Sequence, residues 1–134
     1  LTVESIMTKN IITVDMDDTL GHIQKIFSHH RFHHLLVVSG ERLMGVISDR
    51  DLLKSISPYV DTMSETTRDV ATLQKRAHQV MSRKPVWISQ DSSLKDAAET
   101  LLGNNISCLP VMDENEAVVG VLTWKDLLRA LVKG

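Results

Sequence analysis

The apolar positions of this chain follow two periods in turn, and the order of those periods occurs twice. Leu20, Ile23, Ile26 and Phe27 lie at helical spacing, with Asp18 or Thr19 ahead of them as N-cap. Short apolar runs of strand type follow at residues 35–38 and 43–47, joined by Ser39-Gly40-Glu41. Later, Leu94, Ala97, Ala98, Leu101 and Leu102 define a second helix, with Ser92 or Ser93 as cap and Gly103 as stop. Strand-type runs at 109–112 and 117–122 come after it. Extended segments at 11–14 and 86–88 precede these helices, and a last helix is expected after Ser48 and again after Thr123. The predicted order is β-α-β-β-α, twice, which is an α+β fold.

Residue identity supports the repeat. A shift of 74 overlays Met7 on Met81, Asp17 on Asp91, Leu20 on Leu94, Leu35 on Leu109 and Val37 on Val111. A shift of 75 then overlays residues 45–53 on 120–128, so one extra residue falls in the turn at 113–116, where insertions are tolerated. The repeats span 1–57 and 77–134. Residues 58–76 belong to neither and form a connector, partly helical from Asp69 because Val70, Leu73 and Ala77 are helically spaced. A single unit of about 50–60 residues buries its core poorly, so each repeat is expected to need the other.

Composition narrows the function classes. With 43% apolar and 24% charged residues over 134 positions, the chain reads as an ordinary globular protein. A net charge of −2 and 4% aromatic residues offer neither a basic field nor a stacking platform, so no nucleic-acid partner is expected. No apolar run approaches the roughly 20 residues of a membrane span, and no signal segment is expected at the start. The single cysteine, Cys108, allows no intrachain disulfide and suits a cytoplasmic protein.

The repeated Gly-x-x-Ser/Thr-x-x-Asp carries the chemistry. It comprises Gly45, Ser48 and Asp51, then Gly120, Thr123 and Asp126. Ser48 with Asp51, and Thr123 with Asp126, have the spacing of a helix capping box. The same geometry suits a ligand. A strand ends, a helix begins, and its free N–H groups favour a phosphate. A carboxylate one turn in can accept from the vicinal hydroxyls of a ribose. Arg50 and Lys125 set a cation beside each phosphate position.

These motifs, preceded by Ile6-Met7-Thr8 and Val80-Met81-Ser82, resemble a CBS-domain pair, or Bateman module, over nearly the whole chain. Its compact size is similar to that of bacterial CBS-pair proteins of the acetoin-utilisation type. The resemblance implies a pseudo-two-fold pair with two clefts for adenosyl ligands, each drawing on both repeats. One cleft would comprise Thr8, Ile12, Thr13, Phe32, His33, His34, Val121, Thr123, Lys125 and Asp126. The other would comprise Ser82, Val86, Trp87, Ile106, Ser107, Cys108, Val46, Ser48, Arg50 and Asp51. Repeat two keeps the family's proline as Pro110, whereas repeat one has Leu36 there.

The resemblance implies a regulatory module and not an enzyme. It would sense AMP, ADP, ATP or an S-adenosylmethionine-like ligand, carry no further cofactor, and act through a homodimer or a partner. Two alternatives are a structural dimerisation module with empty clefts and a regulatory fragment of a larger enzyme or transporter. His29, His30, His33 and His34 invite a metal reading, but the predicted helix ends near His30 and parts the two pairs, so no metal site is expected. His33 or His34 could instead make a cleft pH-sensitive or contact a phosphate. Cys108 is expected as a small buried residue, and Trp124 as a surface residue between subunits. Trp87 is expected either against adenine or in the core.

Overall fold

A computed structural model describes all of residues 1–134. In chain order its elements are α1 (Val3–Ile6), β1 (Thr13–Asp15), α2 (Leu20–His29), β2 (His34–Ser39), β3 (Arg42–Ser48) and α3 (Asp49–Ser55). Then come α4 (Thr67–Ala71), α5 (Ala77–Val80), β4 (Ser82–Arg83), β5 (Ile88–Ser89), α6 (Leu94–Asn104), β6 (Cys108–Met112), β7 (Val118–Thr123) and α7 (Trp124–Lys133). They form two compact units. A central unit holds Ile12–Lys84, and a terminal unit combines Leu1–Ile11 with Pro85–Gly134.

The central unit is built on a four-stranded sheet in the order β1-β2-β3-β4. β1 runs parallel to β2 with Val14 opposite Val37, and β2 runs antiparallel to β3 with Leu35 opposite Ile47. Leu35, Val37 and Ile47 pack with Leu20 and Ile23 of α2, Leu52 of α3 and Ala77 of α5 in one core. Each large aliphatic side chain buried in this way contributes about 1.5–3 kcal/mol. Thr19, and not Asp18, caps α2, accepting from the His22 N–H at 3.2 Å. Asp18 is used one turn earlier, accepting from the Asp15 N–H at 2.7 Å.

The terminal unit repeats the plan on a three-stranded sheet, β5-β6-β7, with Ile88 opposite Val111 and Leu109 opposite Leu122. Val3, Met7, Ala97 and Leu101 complete its core. Ser93 caps α6, accepting from the Asp96 N–H at 3.1 Å. Gly103 does not stop that helix. It continues to Asn104, and Asn105 takes the left-handed conformation, φ 52°, with its N–H on the last carbonyls. Asparagine tolerates that backbone better than most residues, so it can end a helix as glycine does.

The connector also departs from expectation. Its helix is shorter, with α4 starting at Thr67 and a 3₁₀ turn over Thr72–Gln74, so the run does not continue into Ala77. Ser57 anchors it by donating to Asp69 at 2.7 Å.

Two elements had no counterpart in the apolar pattern, α1 and α5, because a four-residue helix shows little periodicity. Each opens a sequence repeat, yet each packs with strands of the other repeat. Residues 1–11 join 85–134, and residues 77–84 fall within the central unit. The glycines of the repeated motif explain how. A Cβ on Gly45 would lie 2.7 Å from both the Met81 sulfur and the Ser82 carbonyl oxygen. A Cβ on Gly120 would lie 2.8 Å from the Met7 sulfur and the Thr8 carbonyl oxygen. Bare backbone on β3 and β7 is what lets the leading segments lie flat against them.

Candidate functional site

Each unit gathers a hydroxyl from a leading segment, a strand edge and a capped helix start. In the central unit, β4 pairs antiparallel with β3, setting Ser82 opposite Val46. β3 ends at Ser48, whose Oγ accepts from the Asp51 N–H at 3.0 Å, while the Asp51 carboxylate accepts from the Ser48 N–H at 3.1 Å. This is a complete capping box, and it leaves the Asp51 Oδ1 without a partner. Asp51 is half-buried and Arg50 beside it is exposed.

In the terminal unit, Thr8 and Val121 exchange both backbone hydrogen bonds, at 2.9 and 3.0 Å. β7 ends at Thr123, whose N–H donates to the Asp126 Oδ2 at 2.9 Å and whose hydroxyl donates to the same oxygen at 3.2 Å. The Thr8 hydroxyl donates to Asp126 Oδ1 at 3.2 Å, and the Arg129 guanidinium reaches that oxygen at 3.3 Å. Asp126 is 4% exposed, the one charged residue in the core. Lys125 next to it is exposed.

The structure thus brings Thr8, Val121, Thr123 and Asp126 together in one unit, and Ser82, Val46, Ser48 and Asp51 in the other. Ile12, Thr13, Phe32, His33 and His34 lie in the central unit, and Val86, Trp87, Ile106, Ser107 and Cys108 in the terminal unit. Trp87 is 42% exposed and is therefore not a core residue. Trp124 packs half-buried against its unit's apolar core. Cys108 is half-buried, and burial, with the nearby Asp126 charge, pushes its thiol up to about 12, away from the thiolate a reactive cysteine needs.

The histidines are separately engaged. His29 Nδ1 lies 2.7 Å from the Lys25 carbonyl oxygen, and His30 stacks on Phe32 with ring centres 5.2 Å apart. His33 Nδ1 lies 2.8 Å from Asp49 Oδ2, and the Asp49 N–H donates to the His33 carbonyl at 2.9 Å. The His33 hydrogen bond holds the Asp49 carboxyl below its ordinary range. Burial lowers the His34 pKa, opposed in part by Asp49. The His33–Asp49 tie escaped sequence reasoning. Its only signal was their placement at the same open end of the β2–β3 hairpin, one step beyond the His34–Ser48 pair.

A cavity of about 560 Å³ lies in the central unit, lined by Phe27, Phe32, His33, Leu52 and Ile56 and by connector residues Ser57 to Asp61 apart from Tyr59. It includes Phe32 and His33 of the expected site residues and none of the Ser-x-x-Asp motif.

A tandem α+β repeat with this doubled junction defines a class, and comparison with known proteins agrees. The CBS domain matches residues 3–58 and again 77–133, so the chain belongs to the CBS domain family as a pair of such domains. A CBS domain-containing protein of Dictyostelium discoideum is 33% identical over 98% of this chain and 91% of its own length. The structure is similar to that of CBSX2 from Arabidopsis thaliana, which was solved in complex with AMP (TM-score 0.81, 26% identity, 98% of this chain and 96% of that one). It is also similar to the CBS domain pair of protein MJ0100 in complex with 5-methylthioadenosine and S-adenosyl-L-methionine (TM-score 0.78, 25% identity, 99% and 97%). The expected likeness to the acetoin-utilisation type holds at the level of fold, with a Vibrio cholerae protein at TM-score 0.81 and 23% identity, covering 99% of this chain and 91% of that one. Other relatives are longer: the chain spans 23% of the inosine-5'-monophosphate dehydrogenase of Methanocaldococcus jannaschii. No helix is long and apolar enough to cross a membrane.

Proposed function

We propose that this chain is a regulatory sensor of adenosyl ligands, binding them without catalysis in a reducing, cytoplasmic setting. The observation that carries the reading is the convergence, in each unit, of a leading-segment hydroxyl, a strand edge and a Ser/Thr-x-x-Asp junction. A ribose presents two hydroxyls to such a carboxylate, and the adjacent Arg50 or Lys125 meets a phosphate. Thr8, Val121, Thr123, Lys125 and Asp126 would make the ligand contacts of the terminal unit. Ser82, Val46, Ser48, Arg50 and Asp51 would make those of the central unit. The ligands seen with CBSX2 and MJ0100 support an adenosine moiety as the common element.

Titration calorimetry with AMP, ADP, ATP and S-adenosylmethionine tests the proposal. Saturable heat with at least one, lost in an Asp51→Ala, Asp126→Ala double variant that still folds, is the expected result. Absence of heat with all four refutes it.

A second reading draws on α7, where Leu128, Leu131 and Val132 are exposed along one helix. Such a stripe suits a homodimer contact, with ligand binding changing the dimer or a partner, or a dimerisation module with no ligand at all. Light scattering with and without the four ligands separates the two.

A further inference from the structure

The cavity of the central unit shares no residue with either Ser/Thr-x-x-Asp junction, and its volume of about 560 Å³ is that of a small-molecule site. Phe27, Phe32, Leu52, Ile56 and Val60, all buried or half-buried, give it apolar walls. Phe27 and Phe32 meet edge to face with ring centres 5.8 Å apart, and His30 stacks on Phe32, so the aromatic wall is held in place. The connector wall is tied down as well. The Ser57 N–H donates to the Thr72 hydroxyl at 3.0 Å, and the Ser57 hydroxyl donates to Asp69 at 2.7 Å. Among the charged lining residues, His33 and Asp49 satisfy each other at 2.8 Å. Arg31 and Asp61 are exposed, and neither side chain has a hydrogen-bond or ion-pair partner. The cavity therefore combines apolar walls with one free cation and one free carboxylate.

We propose that this cavity is a second ligand site, for an α-amino acid with an apolar or aromatic side chain. The carboxylate of such a ligand suits the guanidinium fork of Arg31, and its ammonium suits Asp61. Its side chain gains by leaving water for the wall of Phe27, Leu52 and Ile56. A nucleotide suits the cavity poorly. Its phosphates would meet a single free cation and two carboxylates, Asp49 and Asp61, and its ribose would find no junction like that of Ser48 and Asp51. A ligand with only one charge would leave either Arg31 or Asp61 unused. The proposal stands apart from the adenosyl-sensor reading, because the two sites share no residue of the motif.

Amide NMR titrations of the full chain test it, with L-phenylalanine and L-leucine added to millimolar concentration. The expected result is a saturable shift of the Phe27, Phe32, Ile56 and Val60 amides, with those of Thr8 and Val121 in the terminal unit unmoved. Glycine, which lacks a side chain, should bind far more weakly. 3-Phenylpropionate and phenethylamine each keep the ring and one of the two charges, and each should bind about five- to tenfold more weakly than L-phenylalanine, the scale of a lost charge-assisted hydrogen bond at an exposed position. Arg31→Gln and Asp61→Asn should each weaken L-phenylalanine by a similar factor, and the fold should stand because neither side chain has a partner to lose. No saturable shift with either amino acid overturns the proposal. So does binding of glycine or of a single-charge analogue as tight as that of L-phenylalanine, or unaltered affinity in either variant. Titration with AMP or S-adenosylmethionine decides the sensor reading separately, whichever way the amino acids behave.

Discussion

The sulfur of Met81 occupies the space that a side chain at position 45 would need, 2.7 Å from where its Cβ would sit. Methionine alone could yield, being flexible. The Ser82 carbonyl at the same distance cannot move without disturbing the pairing of β4 with β3. Gly45→Ala should therefore destabilise the protein by about 1–3 kcal/mol, the usual cost of overpacking. Gly120→Ala should behave alike against Met7 and Thr8. Urea unfolding of the two variants checks this, and a midpoint equal to that of the parent would contradict it.

Removing the hydroxyl of Ser48 takes away the acceptor for the Asp51 N–H. Ser48→Ala should cost about 1 kcal/mol, the typical worth of an N-cap. Ser48→Asp, which restores an acceptor at that position, should recover most of the loss, and thermal melts of the two variants beside the parent measure both effects.

Leu35 and Leu109 are each fully buried at equivalent points of the two sheets. Leu35→Ala and Leu109→Ala should each lose about 2–5 kcal/mol, through lost transfer energy and the cavity left behind. Denaturant titrations measure both, and a loss well under 1 kcal/mol at either site would mean that its core collapses around the gap.

Acid should weaken the fold in two stages. His34 has a folded pKa below its ordinary 6.5, so the unfolded chain takes up a proton first as pH falls. Stability contributed by neutral His34 is complete above about pH 6.5 and declines as pH drops toward its lowered folded value. Asp49, lowered from 3.8 by its bond to His33, adds a second loss below about pH 4. His34→Gln should flatten the upper stage and leave the lower one. A Tm profile from pH 7.5 to 3.5 reads both, and an unchanged slope between pH 6.5 and 5 in that variant would rule His34 out.

Much of this architecture is legible before any coordinates, for a physical reason. α2, β3, α6 and β7 bury one face each, and burial writes a period into their residues, while β2 and β6 are buried on both faces and read as unbroken apolar runs. Thr19 and Ser93 were among the caps expected because small hydroxyl residues precede both apolar stripes. What stayed hidden lacks a period. α1 and α5 are single turns, and β4 is two residues long. Asn105 ends α6 in place of Gly103 because the left-handed position is set by which carbonyls remain free, and sequence alone does not count those. At the site, the Ser/Thr-x-x-Asp spacing reveals the caps, but nothing in it distinguishes an aspartate with an open oxygen from one already enclosed by Thr8 and Arg129.

Because each leading segment packs on the sheet of the opposite repeat, the gene and the fold disagree about where a half begins. Cutting the chain in the connector would produce two polypeptides that each carry one repeat intact. Neither would contain a whole unit: the first would lack the strand that covers Gly45, and the second the segment that covers Gly120. The halves would be complementing fragments, each exposing a groove shaped for a methionine that only the other supplies. A duplicated gene with this wiring inherits mutual dependence from its first doubling, since neither copy can be lost without leaving the survivor unfinished.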